Sequence, residues 1–239
     1  MTEIIILTLV CSIAFTFEII FGLAGTIIML MVMTFFFDAK TLVIYSILPQ
    51  FLTATIGLLR SPKTVDILYL AKMLGFGALG GVLGMYLFYS FESTTFYILL
   101  AISITLFGFY LVISPHIIRL SPLIQRLLDI VAGIAQALFG ISGPIAMTRL
   151  LGSFTDKLVI RNYALAFFLC MNIFRAGGYI INNTITPDIM TMMLYSGPVL
   201  ALVLWNSNHL HMKVNERLFR KVVSWVIFIG GISLLVRIP

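Results

Sequence analysis

Charged residues are scarce in this sequence. Only 10% of the 239 residues are Asp, Glu, Lys or Arg, whereas 61% are apolar. A soluble domain usually has about 25% charged residues, because it needs them to cover its surface. The scarcity excludes an ordinary soluble enzyme, a secreted disulfide scaffold and a disordered protein. It predicts an integral membrane protein made mostly of helices.

Cysteine and acidic residues are also few. Cys11 and Cys170 are the two cysteines, and both stand inside apolar stretches without the spacing of a metal site. We therefore expect packing roles for them, with no metal and no cofactor. Fifteen basic residues against nine acidic ones give a net charge of +6. The basic residues lie between apolar stretches, where the positive-inside rule places them. This predicts contacts with membrane lipid and no nucleic-acid partner.

The apolar residues form eight segments joined by short, polar connections. A spanning helix needs about 20 apolar residues, and two of the segments are clearly longer than that. Both of these carry glycines near the middle, which predicts a broken helix or a re-entrant hairpin. The eight segments are 4–37, 41–59, 67–90, 93–115, 127–155, 158–181, 189–208 and 218–236.

The two long segments also match each other. The stretch from Phe21 to Met29 aligns without gaps on the stretch from Phe139 to Met147, at an offset of 118 residues. At the same offset Glu18 falls on Gln136. The match predicts an internal duplication, with a first transmembrane repeat over 1–118 and a second over 119–239. Each repeat then has four apolar segments, the first of them broken or re-entrant.

The basic connections indicate how the repeats are oriented. If segments 4–37 and 127–155 each return to the side they entered from, almost all basic connections fall on one face, as expected for the cytoplasmic face. The two halves are then inverted, and both termini lie outside the cytoplasm. Inverted repeats with helix breaks at the midplane are typical of secondary transporters. We expect a multi-pass protein in the plasma membrane of a prokaryote.

These features together resemble the TauE/SafE family, the sulfite exporter group of membrane transporters. The similarity covers nearly the whole chain. It is carried by the glycines of the two long segments (Gly22 and Gly25; Gly140 and Gly143-Pro144), the connection Arg60-Ser61-Pro62-Lys63, the third-segment glycines 75, 77, 80, 81 and 84, and the hairpin 210–230. The resemblance implies transport of a small sulfur-containing anion such as sulfite, thiosulfate, sulfoacetate or another organosulfonate.

Two apices are the predicted anion site. The residues are Gly22, Gly25 and Thr26 in the first repeat and Gly140, Ser142 and Gly143 in the second. A helix that restarts inside the membrane presents free backbone N–H groups and the positive end of its dipole, which together bind anions. The hydroxyls of Thr26 and Ser142 can add donors. The alternative interpretation is close helix packing through small residues.

Three polar side chains inside segments are further candidates. Arg175 is interpreted as the one arginine well inside a segment, and Asn172 shares its helical face. A guanidinium suits an oxyanion, although Arg175 could instead snorkel to the outer interface. Glu18 is the one carboxylate far from a segment end. It is predicted either to carry a coupling proton or to brace the broken helix as a structural acid.

The leading functional hypothesis is a secondary transporter of a small anion, coupled to protons. The alternatives are an anion channel-like pore and a membrane scaffold without transport. An intramembrane enzyme is disfavoured because the sequence has no HExxH or GxSxG motif and no suitably spaced pair of intramembrane carboxylates. Neither the substrate, the direction of transport nor the oligomeric state can be read from the sequence.

Overall fold

The chain folds into helices only, over the residues that the structure describes. The computed structural model describes residues 2–21, 24–61, 65–113, 120–207 and 216–236; it is 86% helical, without strands in those ranges. The helices are α1 Thr2–Phe21, α2 Gly25–Met33, α3 Ala39–Tyr45, α4 Ile47–Leu59, α5 Ile67–Ser90, α6 Ser93–Ile113, α7 Pro122–Phe139, α8 Gly143–Leu151, α9 Lys157–Ile181, α10 Pro187–Ser207 and α11 Glu216–Val236.

Seven stretches in the described ranges are long and apolar enough to cross a membrane. They are α1, the α3–α4 pair, α5, α6, α7, α9 and α10, and a shorter apolar stretch of α11 runs over Ser224–Val236. The prediction of an all-α integral membrane protein is confirmed. The described helices also agree with the eight predicted segments, except that three segments form a pair of helices each: 4–37, 41–59 and 127–155.

The first long segment is a hairpin whose second arm folds back along the first. α1 ends at Phe21 and α2 starts at Gly25 after a short break, with Ala24 in the left-handed region at φ 82°. A Cβ on Gly25 would lie 2.9 Å from the carbonyl oxygen of Ala14. This contact lies two turns back along α1, so the chain reverses at the break. Glycine at position 25 allows the arms to touch.

The second long segment reverses in the same way. α7 ends at Gly140, whose φ of 71° is in the left-handed region that glycine tolerates. α8 then starts at Gly143 and returns along α7, because Arg149 of α8 pairs with Asp129 of α7 at 2.9 Å. Of the two predicted alternatives, broken helix and re-entrant hairpin, both long segments take the hairpin.

The second segments of the two repeats differ in continuity. α3 and α4 are two short helices that meet at Ser46, whereas α9 is a single helix of 25 residues. Their starts are alike. The carboxylate of Asp38 accepts hydrogen bonds from the first turn of α3, and that of Asp156, its mate at the 118-residue offset, does the same for α9.

Helix packing between the halves is reciprocal. The helix of the third segment in each half packs on the hairpin of the other half: α5 packs on α7, and α10 packs on α1. The second segments, α4 and α9, pack on each other, and so do the last helices, α6 and α11. A two-fold relation between the halves would require this exchange of partners. The inversion of the halves across the membrane stays a prediction.

The α5–α7 contact brings two backbones together at glycines. A Cβ on Gly80 would lie 2.0 Å from the carbonyl oxygen of Ile130, and one on Gly84 would lie 2.5 Å from that of Ile134. Small residues let membrane helices approach this closely. The glycine-rich third segment therefore has a packing role: it supports the α7–α8 hairpin from behind.

Replacing Gly80 by alanine should destabilise the fold, whereas Gly75→Ala should not. The added methyl at position 80 meets the α7 backbone, which cannot yield as a side chain can, and overpacking of this kind costs about 1–3 kcal/mol. Gly75 is on the same helix with nothing within 4 Å of its Cβ position, so alanine there is tolerated. The measurement is thermal unfolding in detergent. Equal melting temperatures for the two variants would contradict the close approach of α5 and α7.

Contacts between helix ends show which connections lie on the same side of the helices, and they form two groups. Lys40, at the start of α3, donates to the carbonyl of Phe91 at the end of α5. On the other side, Arg60 at the end of α4 donates to the carbonyl of Trp205 near the end of α10. The guanidinium of Arg60 also stacks 3.7 Å from the centre of the Trp205 ring, as suits an aromatic residue at a membrane interface.

Single cysteines at Glu92 and Thr155 should be labelled from opposite faces of the membrane. Both positions are exposed at connections, one in each group. After removal of Cys11 and Cys170, an impermeant thiol reagent should label Glu92→Cys in intact cells and Thr155→Cys only after permeabilisation. The reverse pattern would overturn the proposed orientation. Labelling of both from one face would contradict the path of the chain.

Candidate functional site

The two helix breaks meet at one small cavity. Its volume is about 20 Å³, close to the space that one water molecule needs. Both breaks contribute to its wall, and so do Gln50 near the start of α4 and Phe168 in the middle of α9. The lining residues are Glu18, Ala24, Thr26, Ile27, Gln50, Gln136, Gly140, Ile141, Ser142, Gly143, Pro144 and Phe168.

The first apex already holds an acidic side chain. The backbone N–H of Thr26, in the first turn of α2, donates to the Glu18 carboxylate at 3.2 Å. Glu18 is 6% exposed. A carboxylate at a helix N-terminus satisfies N–H groups that have no intrahelical partner and interacts favourably with the helix dipole. Glu18 therefore braces the break in the first hairpin.

The second apex has a neutral amide in the same place. Gln136 is the repeat mate of Glu18, and its Oε1 accepts a hydrogen bond of 2.6 Å from the Ser142 hydroxyl. Ser142 precedes α8, which starts at Gly143. The first turn of α8 thus faces the cavity without a resident carboxylate. This is the main chemical difference between the two apices.

Gln50 is the hub that joins the apices. Its Nε2 donates to the Thr26 hydroxyl and, at 2.7 Å, to the carbonyl of Gly140. Its Oε1 accepts from Gln136 at 2.8 Å and from Arg175 at 3.3 Å. The Gly140 carbonyl is released where α7 ends, so the amide satisfies a backbone group that the reversal would otherwise leave unpaired inside the membrane.

Arg175 lies directly behind Gly140 and is fully buried. A Cβ on Gly140 would lie 3.1 Å from either terminal nitrogen of the guanidinium. Those nitrogens donate to Asn172 Oδ1 at 2.9 Å and to the carbonyl of Val43 at 2.8 Å. Both acceptors are neutral, and within the described ranges no carboxylate pairs with Arg175. Snorkelling to the interface, the alternative weighed for this residue, is wrong.

The predicted site residues fall close together. Gly140, Ser142, Gly143, Thr26 and Glu18 line the cavity. Gly25 starts α2 beside Glu18, and Asn172 with Arg175 forms the layer behind Gly140. Gly22 lies outside the described residues. Whether these residues bind a substrate stays a prediction.

Besides four small or aliphatic lining residues (Ala24, Ile27, Ile141 and Pro144), sequence reasoning missed three larger side chains: Gln50, Gln136 and Phe168. Two of them had a signal. Gln136 is the repeat mate of Glu18, and Gln50 is the one amide inside segment 41–59. Gln50 and Phe168 are also mates at the 118-residue offset. A search for polar residues near the repeat axis would have found the amides, whereas Phe168 is indistinguishable from core packing in the sequence.

Two statements about buried charge need correction. Arg175 is not the one arginine inside a segment, because Arg149 and Arg161 are only 4% and 7% exposed. Glu18 is not the one deep carboxylate, because Asp129 is 2% exposed. The predicted start of segment 127–155 lies five residues after the true start of the helix. α7 begins at Pro122 with Ser121 as its N-cap, which moves Asp129 into the second turn of the helix and beside Arg149.

The Asp129–Arg149 ion pair ties the two arms of the second hairpin together. Its two hydrogen bonds measure 2.9 and 3.3 Å, a forked geometry that suits a guanidinium and a carboxylate. Tyr69 of α5 accepts a further hydrogen bond from Arg149. The positions equivalent to the pair in the first hairpin are Cys11 and Met31. Both long segments therefore form hairpins, but the first has no ion pair at the positions equivalent to Asp129 and Arg149.

Seven helical stretches long and apolar enough to cross a membrane, two hairpins and a polar cavity between them define the chain, over its described residues, as a multi-pass helical membrane protein. The family model described as sulfite exporter TauE/SafE matches residues 7–234. The chain therefore belongs to this family of membrane transporters, and the resemblance found in the sequence is confirmed. Comparison with curated proteins and with solved structures finds no match.

Gln50→Leu should lower stability, whereas Thr53→Val on the same helix should not. Leucine keeps the approximate size of Gln50 but leaves the buried Gly140 carbonyl without a partner, at about 1–3 kcal/mol, and removes one of the two acceptors of the Gln136 amide. Thr53 is fully buried, and its hydroxyl has no hydrogen-bond partner among the described residues, so valine loses nothing. Melting temperatures in detergent provide the comparison. A Gln50→Leu protein as stable as Thr53→Val would contradict the role of Gln50 as the hub.

Proposed function

We propose that this protein is a secondary transporter that moves a small sulfur-containing anion together with a proton. Sulfite, thiosulfate, sulfoacetate and other organosulfonates are the substrate class. The proposal includes its site in the plasma membrane of a prokaryote, with both termini outside the cytoplasm. One observation carries it: the fully buried guanidinium of Arg175, one residue layer behind the cavity, has neutral acceptors and no carboxylate partner among the described residues.

The balance of buried charge supports an anion. Five charged side chains are buried in the described ranges: Glu18, Asp129, Arg149, Arg161 and Arg175. Three arginines against two carboxylates leave a surplus of one positive charge when both carboxylates are ionised. Burying an uncompensated charge is costly, so the interior favours a mobile anion over a mobile cation.

The difference between the apices supports a position for that anion. Glu18 already occupies the N-terminus of α2, whereas the first turn of α8 faces the cavity beside Ser142 and the amide of Gln136. We propose that the substrate binds at the second apex, with the N-terminus of α8 on one side and Arg175 behind Gly140 on the other. The glycine apices and the Arg175 region are then parts of one site.

The size of the cavity supports transport by a change of conformation. At about 20 Å³ it has room for about one water molecule, and a sulfur oxyanion with three or more oxygens is larger. We propose that binding moves the hairpins apart. A carrier that opens to one face at a time makes such a movement in every cycle, whereas an anion channel needs a continuous open path.

The place of Glu18 supports coupling to a proton. Protonation of this carboxylate raises the positive surplus of the interior from one charge to two, which strengthens the attraction for an anion in a medium of low dielectric constant. Proton and anion then each favour the binding of the other, as linkage requires. Such a carrier crosses the membrane with the proton and the anion both bound, and it returns with neither of them bound.

Glu18→Gln should abolish pH-driven flux but leave a folded protein. Glutamine keeps the shape, and its oxygen can still accept from the Thr26 N–H, as Gln136 accepts from Ser142 in the other repeat. It cannot exchange a proton. In proteoliposomes we expect wild-type sulfite flux that saturates and increases with an imposed pH gradient, and Glu18→Gln flux that does not respond to the gradient. The matched control is Glu92→Gln, an exposed carboxylate between α5 and α6.

Two results would contradict the proposal. Full response of the Glu18→Gln protein to the pH gradient would assign coupling to another group. A wild-type protein that carries none of sulfite, thiosulfate, sulfoacetate, taurine, sulfate or a carboxylate, and is not stabilised by any of them in a thermal-shift screen, would favour the non-transporting scaffold. Flux that fails to saturate would favour the channel.

A further inference from the structure

Two buried arginines lie on one face of α9, one on each side of the cavity. Arg161 and Arg175 are 14 residues apart, which is close to four turns of an α-helix and brings them back to the same face. Phe168, a cavity residue, lies midway between them, seven residues or about 10 Å from each. The cavity is thus centred on this face of α9.

Each arginine contacts one of the two helix breaks. Arg175 lies against Gly140, where α7 ends. Arg161 Nε donates to the carbonyl of Ile19, in the last turn of α1, at 3.0 Å. One helix therefore supplies a positive charge to both hairpins, although only Arg175 was a candidate on the basis of sequence.

The internal repeat relates these two places. At the 118-residue offset, Arg161 is the mate of Val43 and Arg175 is the mate of Gly57. In the structure Arg175 donates to the carbonyl of Val43, and a Cβ on Gly57 would lie 3.5 Å from a terminal nitrogen of Arg161. Each arginine packs on the repeat mate of the other. The two guanidinium groups therefore occupy equivalent places in the two halves of the molecule.

The layer behind Gly140, formed by Asn172 and Arg175, contains hydrogen-bond donors that are not used. The Nε of Arg175 and the Nδ2 of Asn172 are buried without a partner among the described residues. Buried donors of a charged group and an amide are costly to leave unpaired, and an oxyanion supplies the acceptors that they lack.

We propose that Arg161 and Arg175 are two anion stations on the translocation path, one toward each membrane face, with Phe168 between them. This inference rests on the proposed function and adds to it a path and a second binding residue. The anion reaches one guanidinium from its own face, passes Phe168 when the hairpins part, and leaves from the other guanidinium.

The test compares Arg161→Gln with Arg175→Gln in vesicles of uniform orientation, with sulfite as the probe. Each variant should raise the KM for sulfite about tenfold or more at one face only, and the two variants should affect opposite faces. Arg161 acts at the face that carries Thr155, because it is near the start of α9, and Arg175 acts at the other. From the unaffected face the variant should lose maximal rate without a change in KM, because weaker binding at the far station slows the loaded transition.

Arg60→Gln is the matched control, since Arg60 is a membrane-surface arginine stacked on Trp205. Its KM should stay at the wild-type value from both faces. If either glutamine variant fails to fold, Arg161→Lys and Arg175→Lys keep the charge but lose the fork, and should give smaller changes in KM at the same single faces.

Equal changes in KM at both faces, or unchanged KM in a folded Arg161→Gln protein, would overturn the two-station path while leaving anion transport intact. A wild-type protein without sulfite flux would overturn the proposed function together with this inference. The two failures are therefore distinguishable.

Discussion

The structure depends on satisfying the backbone where the chain reverses inside the membrane. A helix that stops at membrane depth exposes carbonyls at its end, and the helix that follows exposes N–H groups at its start. In the first hairpin Glu18 and Arg161 take these groups, one at each side of the break. In the second, the side-chain amide of Gln50 donates a hydrogen bond to the Gly140 carbonyl. Glu18 and Gln50, which satisfy backbone groups at the reversals, also line the cavity, so the fold and the candidate site depend on the same side chains.

Both reversals are hairpins, but they differ in chemistry. A carboxylate on one side corresponds to an amide on the other, and a pair of apolar or weakly polar residues, Cys11 and Met31, corresponds to the ion pair of Asp129 and Arg149. A symmetric scaffold explains how two helix starts come to face one space. Because of these differences, the start of α8 faces the cavity without a carboxylate, whereas the start of α2 has Glu18. The two sides of the cavity are therefore chemically different.

Much of the fold could be predicted from the sequence because the membrane imposes simple rules. Length and hydropathy give the segments, and glycine pairs near the middle of segments 4–37 and 127–155 give the breaks. The starts of helices were less predictable: Ser121-Pro122 begins α7 five residues ahead of the apolar stretch, and this hid Asp129. Gln50 could not be assigned a role, because its partners are 24 to 125 residues away in the chain. Long-range polar networks depend on packing that no local pattern records.

The exchange of partners between the halves has a consequence for the origin of the chain. The hairpin of each half packs on the third helix of the other, α7 on α5 and α1 on α10. A single half would leave its hairpin uncovered and its third helix without the backbone it packs against. Such a half could bury these surfaces only against a second copy of itself. If the predicted duplication is correct, the contacts now made within one chain are those that a dimer of half-length subunits would have used, and Glu18 and Gln136 could differ only once the two halves were joined.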